Sequence, residues 1–170
     1  MEKVKLGQLT NIKTGRLDVN AENPNGKYPF FTCSKNHTYI DEYAFDGESV
    51  LVAGNGDLNV KYYNGKFNAY QRTYVITSSN KNISIPHIYF QMKSELESFK
   101  GVSSGTTTKF LTMELLNSLK IICPTEEVAV NFEKLTKPLF LYMLNLQKNN
   151  ELLKELEKLL LQRMSLTENE

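Results

Sequence analysis

The sequence predicts an α+β fold: a small mixed sheet, curved or barrel-like, with short helices, followed by a long C-terminal helix of coiled-coil type. Three observations predict it. Short apolar and β-branched runs separated by Gly and Asn turns fill the first 124 residues. Two stretches with helix-capping signals interrupt those runs. From residue 125 onward, apolar residues recur at alternating spacings of three and four.

Taken in order, residues 4–6 and 28–32 are short strand candidates. Residues 50–53 form an apolar run preceded by Asp46-Gly47, which reads as a buried strand following a turn. Residues 60–63 and 66–70 flank Asn64-Gly65, the dipeptide most favoured in tight hairpins because it tolerates positive φ. Residues 73–77 make a further β-type run. Ser84 is placed to cap a helix begun by Pro86, with Ile88, Tyr89, Met92, Leu96 and Phe99 at helical spacing. Thr112 caps a short helix through Leu116, and residues 119–123 read as a strand stopped by Pro124.

The terminal segment reads as helix throughout. Thr125 suits the N-cap, and Glu126 and Glu127 complement the positive end of the helix dipole. Phe132, Leu135, Leu139, Tyr142, Leu146, Asn149, Leu153, Leu156 and Leu160 form a heptad seam over about four heptads. Asn149 is polar on that seam, where such residues fix register at some cost in stability. Pro138 is expected to kink the helix. A second row, Leu141, Leu144, Leu152 and Leu159, widens the apolar face. At 1.5 Å per residue the helix would reach about 60 Å, longer than a domain of roughly 120 residues is wide. Part of it is therefore expected to find another partner.

The 170 residues carry a net charge of +1, with no bias that marks a disordered or membrane class. Charge is uneven along the chain, however. Between Asp57 and Glu95 there is no acidic residue, while Lys61, Lys66, Arg72, Lys81 and Lys93 fall there. A locally basic surface suits a polyanion; chance clustering on a solvated face is the competing explanation. Cys33 and Cys123 match no metal or redox spacing and suit a reducing compartment. With no apolar signal core and no membrane-length apolar run, the expected location is the cytoplasm.

No catalytic constellation is visible. Gly54-Asn55-Gly56 lacks the third glycine and following helix of a dinucleotide loop, and His37 and His87 are isolated. The expectation is a non-enzyme with no cofactor and no metal. Base-reading and phosphate-reading side chains, by contrast, gather near the Asn64-Gly65 segment. Asn59, Lys61, Tyr63, Lys66, Gln71 and Arg72 are the candidates there, since amides and guanidinium groups bond base edges and lysines hold phosphates. Residues 101–109 add Ser103, Ser104, Thr106, Thr107 and Lys109 in one polar loop. Its composition alone fits a plain linker equally well.

This order of features resembles the specificity subunit of Type I restriction–modification systems, at the scale of one target-recognition domain and one helical conserved region. The resemblance rests on Val-Lys-Leu-Gly at 4–7, Lys-Thr-Gly at 13–15 and Gly-Lys-Tyr-Pro-Phe-Phe-Thr at 26–32. It continues with the turn and strand of 46–54, the Gly-Ser-Thr loop of 101–109 and the strand ending in Pro124. It implies a target-recognition domain over residues 1–124 and a helical region over 125–170 for dimerisation and subunit docking. It also implies a DNA-reading subunit without catalysis, bound to double-stranded DNA and to a modification (methyltransferase) subunit. Through that complex it would direct adenine methylation and, indirectly, the restriction subunit.

Two departures stand out. The usual subunit has two recognition domains and two helical regions, so a half-length chain is expected to form a homodimer or pair with another half, reading a bipartite and possibly palindromic site. The family's Pro-Pro and Glu-Gln at the helix start are kept only partly, as Cys123-Pro124 and Glu126-Glu127. The alternative function is a coiled-coil adaptor whose β-rich head binds another protein.

Overall fold

The computed structural model describes residues 2–56, 58–102 and 110–167. The chain divides into two compact units, Met1–Glu133 and Lys134–Glu170. In order, the elements are β1 (Glu2–Lys5), α1 (Leu6–Leu9), β2 (Thr10–Thr14), β3 (Tyr28–Phe31), β4 (Thr38–Ile40), β5 (Phe45–Ala53) and β6 (Val60–Ala69). They continue with β7 (Thr73–Ser78), α2 (Ile85–Val102), α3 (Met113–Ser118), β8 (Lys120–Cys123) and α4 (Glu126–Thr167).

The local capping signals act where the sequence placed them. The Ser84 hydroxyl accepts from the His87 amide at 3.4 Å at the start of α2, and Thr112 accepts from Leu115 N at 3.2 Å at the start of α3. The Thr125 carbonyl takes the first bond of α4, from Ala129 N at 2.9 Å. α4 carries Pro138 within it, which removes the amide that would bond the Lys134 carbonyl.

Six strands form one sheet in the order β2-β7-β5-β6-β3-β4, and β1 pairs with β8 in a separate two-stranded sheet. The register sets Leu51 beside Lys61 and Val75 on one face, and Val50 beside Tyr62 and Ile76 on the other. On the first face Phe31, Leu51, Phe67, Ala69 and Val75 form a buried cluster edged by Phe45 and Tyr63. The Phe31 ring stands 5.0 Å from Tyr63 and 5.6 Å from Phe67. α2 packs on β5 and β6, with Ile88, Met92 and Leu96 buried.

Two turn signals of the sequence are overridden. Asn64-Gly65 makes no hairpin, and Asp46-Gly47 makes no turn; both lie inside the long strands β6 and β5, which pair across them. A two-residue hairpin of the Asn-Gly type needs positive φ at both central residues, and among the described residues no non-glycine residue has it. Instead Gly47 (φ +114°) and Gly65 (φ +138°) face each other in register. Nothing lies within 4 Å of a Cβ placed on Gly47, so the backbone conformation, not space, selects glycine there. The chain reverses instead between Ala53 and Val60.

The sheet is strongly curved. A Cβ on Gly15 would stand 1.7 Å from the Ala69 carbonyl oxygen, and Leu17 bridges Tyr70 in parallel. The segments after β2 and β6, from separate parts of the strand order, thus touch. The sheet nevertheless stays open rather than closing into a barrel, with β2 and β4 at its edges.

The first two turns of α4 belong to the first unit. Their Phe132 ring stands 5.4 Å from His87 and 6.3 Å from Phe90. In the second unit the helix exposes Leu135, Leu139, Tyr142, Leu146, Leu153, Leu156 and Leu160, and Asn149 on the same seam is exposed as well. Among the described residues, no helix is long and apolar enough to cross a membrane.

Candidate nucleic-acid interface

One end of the sheet collects segments that are distant in sequence. β5 leaves the sheet there at Ala53 and β6 begins at Val60; β2 ends there and β7 starts. Backbone bonds knit these segments together. Gly54 N donates to Arg72 O at 2.8 Å, Gly15 N to Thr73 O at 3.3 Å, Gln71 N to Leu17 O at 2.9 Å and Tyr70 N to Phe31 O at 2.9 Å. A Cβ on Gly54 would stand 2.6 Å from Arg72 O, so the close approach requires glycine.

Side chains brace the same end. Asn59 Nδ2 donates to Cys33 O at 2.8 Å, and Lys61 Nζ donates to Thr32 O at 3.2 Å. Burial lowers the Lys61 ammonium to a pKa of about 8, because a poorly solvated site disfavours the charged form. The Cys33 thiol donates to Arg72 O at 3.5 Å. Gln71 Nε2 donates to Asp18 Oδ2 at 3.2 Å.

The chain returns to this end after residue 109. Leu111 N donates to Gly54 O at 2.9 Å, and the Tyr74 hydroxyl donates to Leu111 O at 2.8 Å. Burial raises the Tyr74 pKa, which keeps that hydroxyl protonated and a donor.

Of the sequence candidates, Asn59, Lys61, Gln71 and Arg72 come together at this end. They differ in availability: Gln71 and Arg72 are exposed, whereas Asn59 and Lys61 are half-buried braces. Tyr63 stands in the aromatic cluster. Lys66 lies beside the Gly47/Gly65 pair, opposite Asp46, with its ammonium 4.6 Å above the Tyr43 ring. Its pKa is raised, chiefly by hydrogen bonding to Tyr43. Ser103, Ser104, Thr106, Thr107 and Lys109 lie outside the described residues.

The sequence reading missed Arg16 and Phe110, both exposed. Arg16 directly follows the crowded Gly15, and Phe110 precedes the anchored Leu111. Gly15 was a legible signal, since a glycine within a β-type run marks close backbone approach. Chemically, this end offers two guanidinium groups and a side-chain amide to solvent, a donor set suited to phosphate oxygens and base edges.

The fold and this end define a two-part class of protein: a curved-sheet head with a cationic, amide-bearing end, followed by a helix with an open apolar stripe. Residues 1–154 match the Type I restriction modification DNA specificity domain, and the chain belongs to that family. It is 38% identical over 122 residues to the specificity subunit of the Escherichia coli type I restriction enzyme EcoDI, covering 72% of this chain and 27% of that protein. It is 25% identical over 185 residues to the MjaIX specificity subunit of Methanocaldococcus jannaschii, covering 96% and 43%. The chain thus spans less than half the length of these relatives. The crystal structure of a Type I restriction–modification S subunit from M. genitalium shares the fold, with a TM-score of 0.60 and 21% identity over 71% of this chain and 33% of that one.

Proposed function

We propose that this chain recognises a DNA sequence for a Type I restriction–modification complex and carries no catalysis of its own. The carrying observation is the gathering of Arg16, Gln71 and Arg72 on one rigid end of the sheet in a member of the specificity family. Phosphate contacts from the two arginines would set position, and the Gln71 amide, exchanging its bond to Asp18, would read a base edge. Residues 1–124 serve as the recognition domain and residues 125–170 as the helical region. The exposed stripe of α4 pairs with a second helix of its kind, from a second copy or another half, and gives the modification subunit a place to dock. Adenine methylation and restriction belong to the partner subunits, and the paired heads read a bipartite site.

The test is the salt dependence of duplex binding by the chain assembled with its modification subunit. Arg72→Ala is expected to weaken binding to every sequence and to lower the log–log salt slope by about 1. A protein-binding adaptor would show no salt-dependent DNA binding, and that result would sink the reading.

A further inference from the structure

Phe110 occupies an unusual position for an apolar side chain. It is 56% exposed, while its neighbour Leu111 is 6% exposed. Leu111 is held on both sides, its amide on Gly54 O at 2.9 Å and its carbonyl on the Tyr74 hydroxyl at 2.8 Å. Gly54 is in turn bonded to Arg72 O at 2.8 Å. One continuous chain of hydrogen bonds therefore ties the backbone beside Phe110 to the backbone of an exposed arginine.

Single exposed apolar residues are common and need no explanation in general. Phe110 differs from an ordinary one in its mount and in its surroundings. The adjacent residue is buried and doubly bonded, so the ring starts from a fixed backbone, which lowers the ordering cost of a contact. The neighbouring exposed groups on this end are the two arginines and the Gln71 amide, which is bonded to the Asp18 carboxylate. A protein partner that covered Phe110 would have to cover these as well, whereas a polyanion neutralises the arginines and leaves the ring facing its bases.

We propose that Phe110 is a specificity-determining residue that makes an apolar contact with a base of the target duplex, while Arg16 and Arg72 hold phosphates. This rests on the DNA-recognition reading above and deepens it. Two geometries share that chemistry. The ring either meets a thymine methyl in the major groove or wedges between stacked base pairs.

The test uses the chain assembled with its modification subunit and a randomised duplex library from which the preferred site is selected. Phe110→Ala is expected to lose about tenfold in affinity for the selected site, the scale of one lost base contact. Its binding to random duplex and its salt slope stay unchanged, unlike those of Arg72→Ala, and Phe110→Leu recovers part of the loss. Replacing thymine by uracil at single positions reproduces the loss at one position if the methyl is the contact. Increased 2-aminopurine fluorescence on binding, abolished by Phe110→Ala, identifies the wedge instead.

Equal affinity and an identical selected site for Phe110→Ala would overturn the proposal while leaving DNA recognition standing. So would a loss traced to failed assembly with the modification subunit, which would make Phe110 a protein contact. Absence of salt-dependent DNA binding by the unaltered complex would overturn both.

Discussion

The sheet head and the helix beyond Glu133 use the same leucines and reach opposite outcomes. Leu51 is fully buried between strands of the head, whereas Leu135 is 74% exposed on the helix. The difference is geometric. The head brings together paired strands and a cross-packing helix, so an apolar side chain on β5 meets neighbours from β6, β7 and β3. On the helix the leucines of the seam from Leu135 to Leu160 stay exposed, each on the surface of its own segment. What the comparison teaches is that stability is concentrated in the head, and that assembly is expected to draw on the helix.

The strongest way to break this division is to deny the head its curvature. Gly15→Ala would place a methyl 1.7 Å from the Ala69 carbonyl oxygen and 2.2 Å from its carbon. Neither is a flexible side-chain end, so the backbone must move. The expected result is loss of the cooperative thermal transition of the head. Circular dichroism would check it, and an unchanged melting temperature would refute the tight approach.

A matched pair sharpens the comparison. Leu51→Ala is expected to cost the head about 2–5 kcal/mol in urea unfolding, because a filled core position is emptied. Leu139→Ala is expected to cost the head less than about 0.5 kcal/mol, as exposed positions do. It should instead lower the mass of the assembled species in light scattering. The reverse pattern would place Leu139 in the core and remove the argument for an open stripe.

The smallest effect concerns Lys61. Burial lowers its pKa from 10.5 to about 8, so between those values the unfolded chain binds more protons than the folded one. Stability therefore gains a contribution as pH rises through that window, and the penalty is fully present below pH about 8. Lys61→Met removes the titration. The melting temperature of this variant relative to the unaltered chain should fall steadily from pH 8 to pH 10. A difference independent of pH would show that the ammonium is well solvated.

The features legible in the sequence were those governed by near neighbours. Ser84 and Thr112 cap their helices from within a turn of their own positions, and α4 begins directly after Thr125. The heptad row of α4 is likewise a local pattern; its members from Leu135 to Leu160 are exposed, while Phe132 packs against His87 and Phe90 in the head. Asn64-Gly65 was misleading because its hairpin tendency competes with eight register pairs along β5 and β6. Those pairs, formed with a partner strand, outweigh a two-residue preference.

The site was legible only in part for a related reason. Asn59, Lys61, Gln71 and Arg72 are close in sequence and close in space. Lys66 lies between them in sequence, yet it is carried to the Gly47/Gly65 pair by strand register. Arg16 and Phe110 reach the same end from 55 or more residues away on one side of Gln71 and nearly 40 on the other, and nothing local announces it. The sequence by itself determined the α+β class, the helix starts and the apolar face of the last helix, because caps and periodicity are short-range properties of a chain. The tertiary structure alone decided which cations share one end and which are turned into braces. Curvature and register are set by pairing between distant strands, and burial changes what a lysine can do without changing its identity.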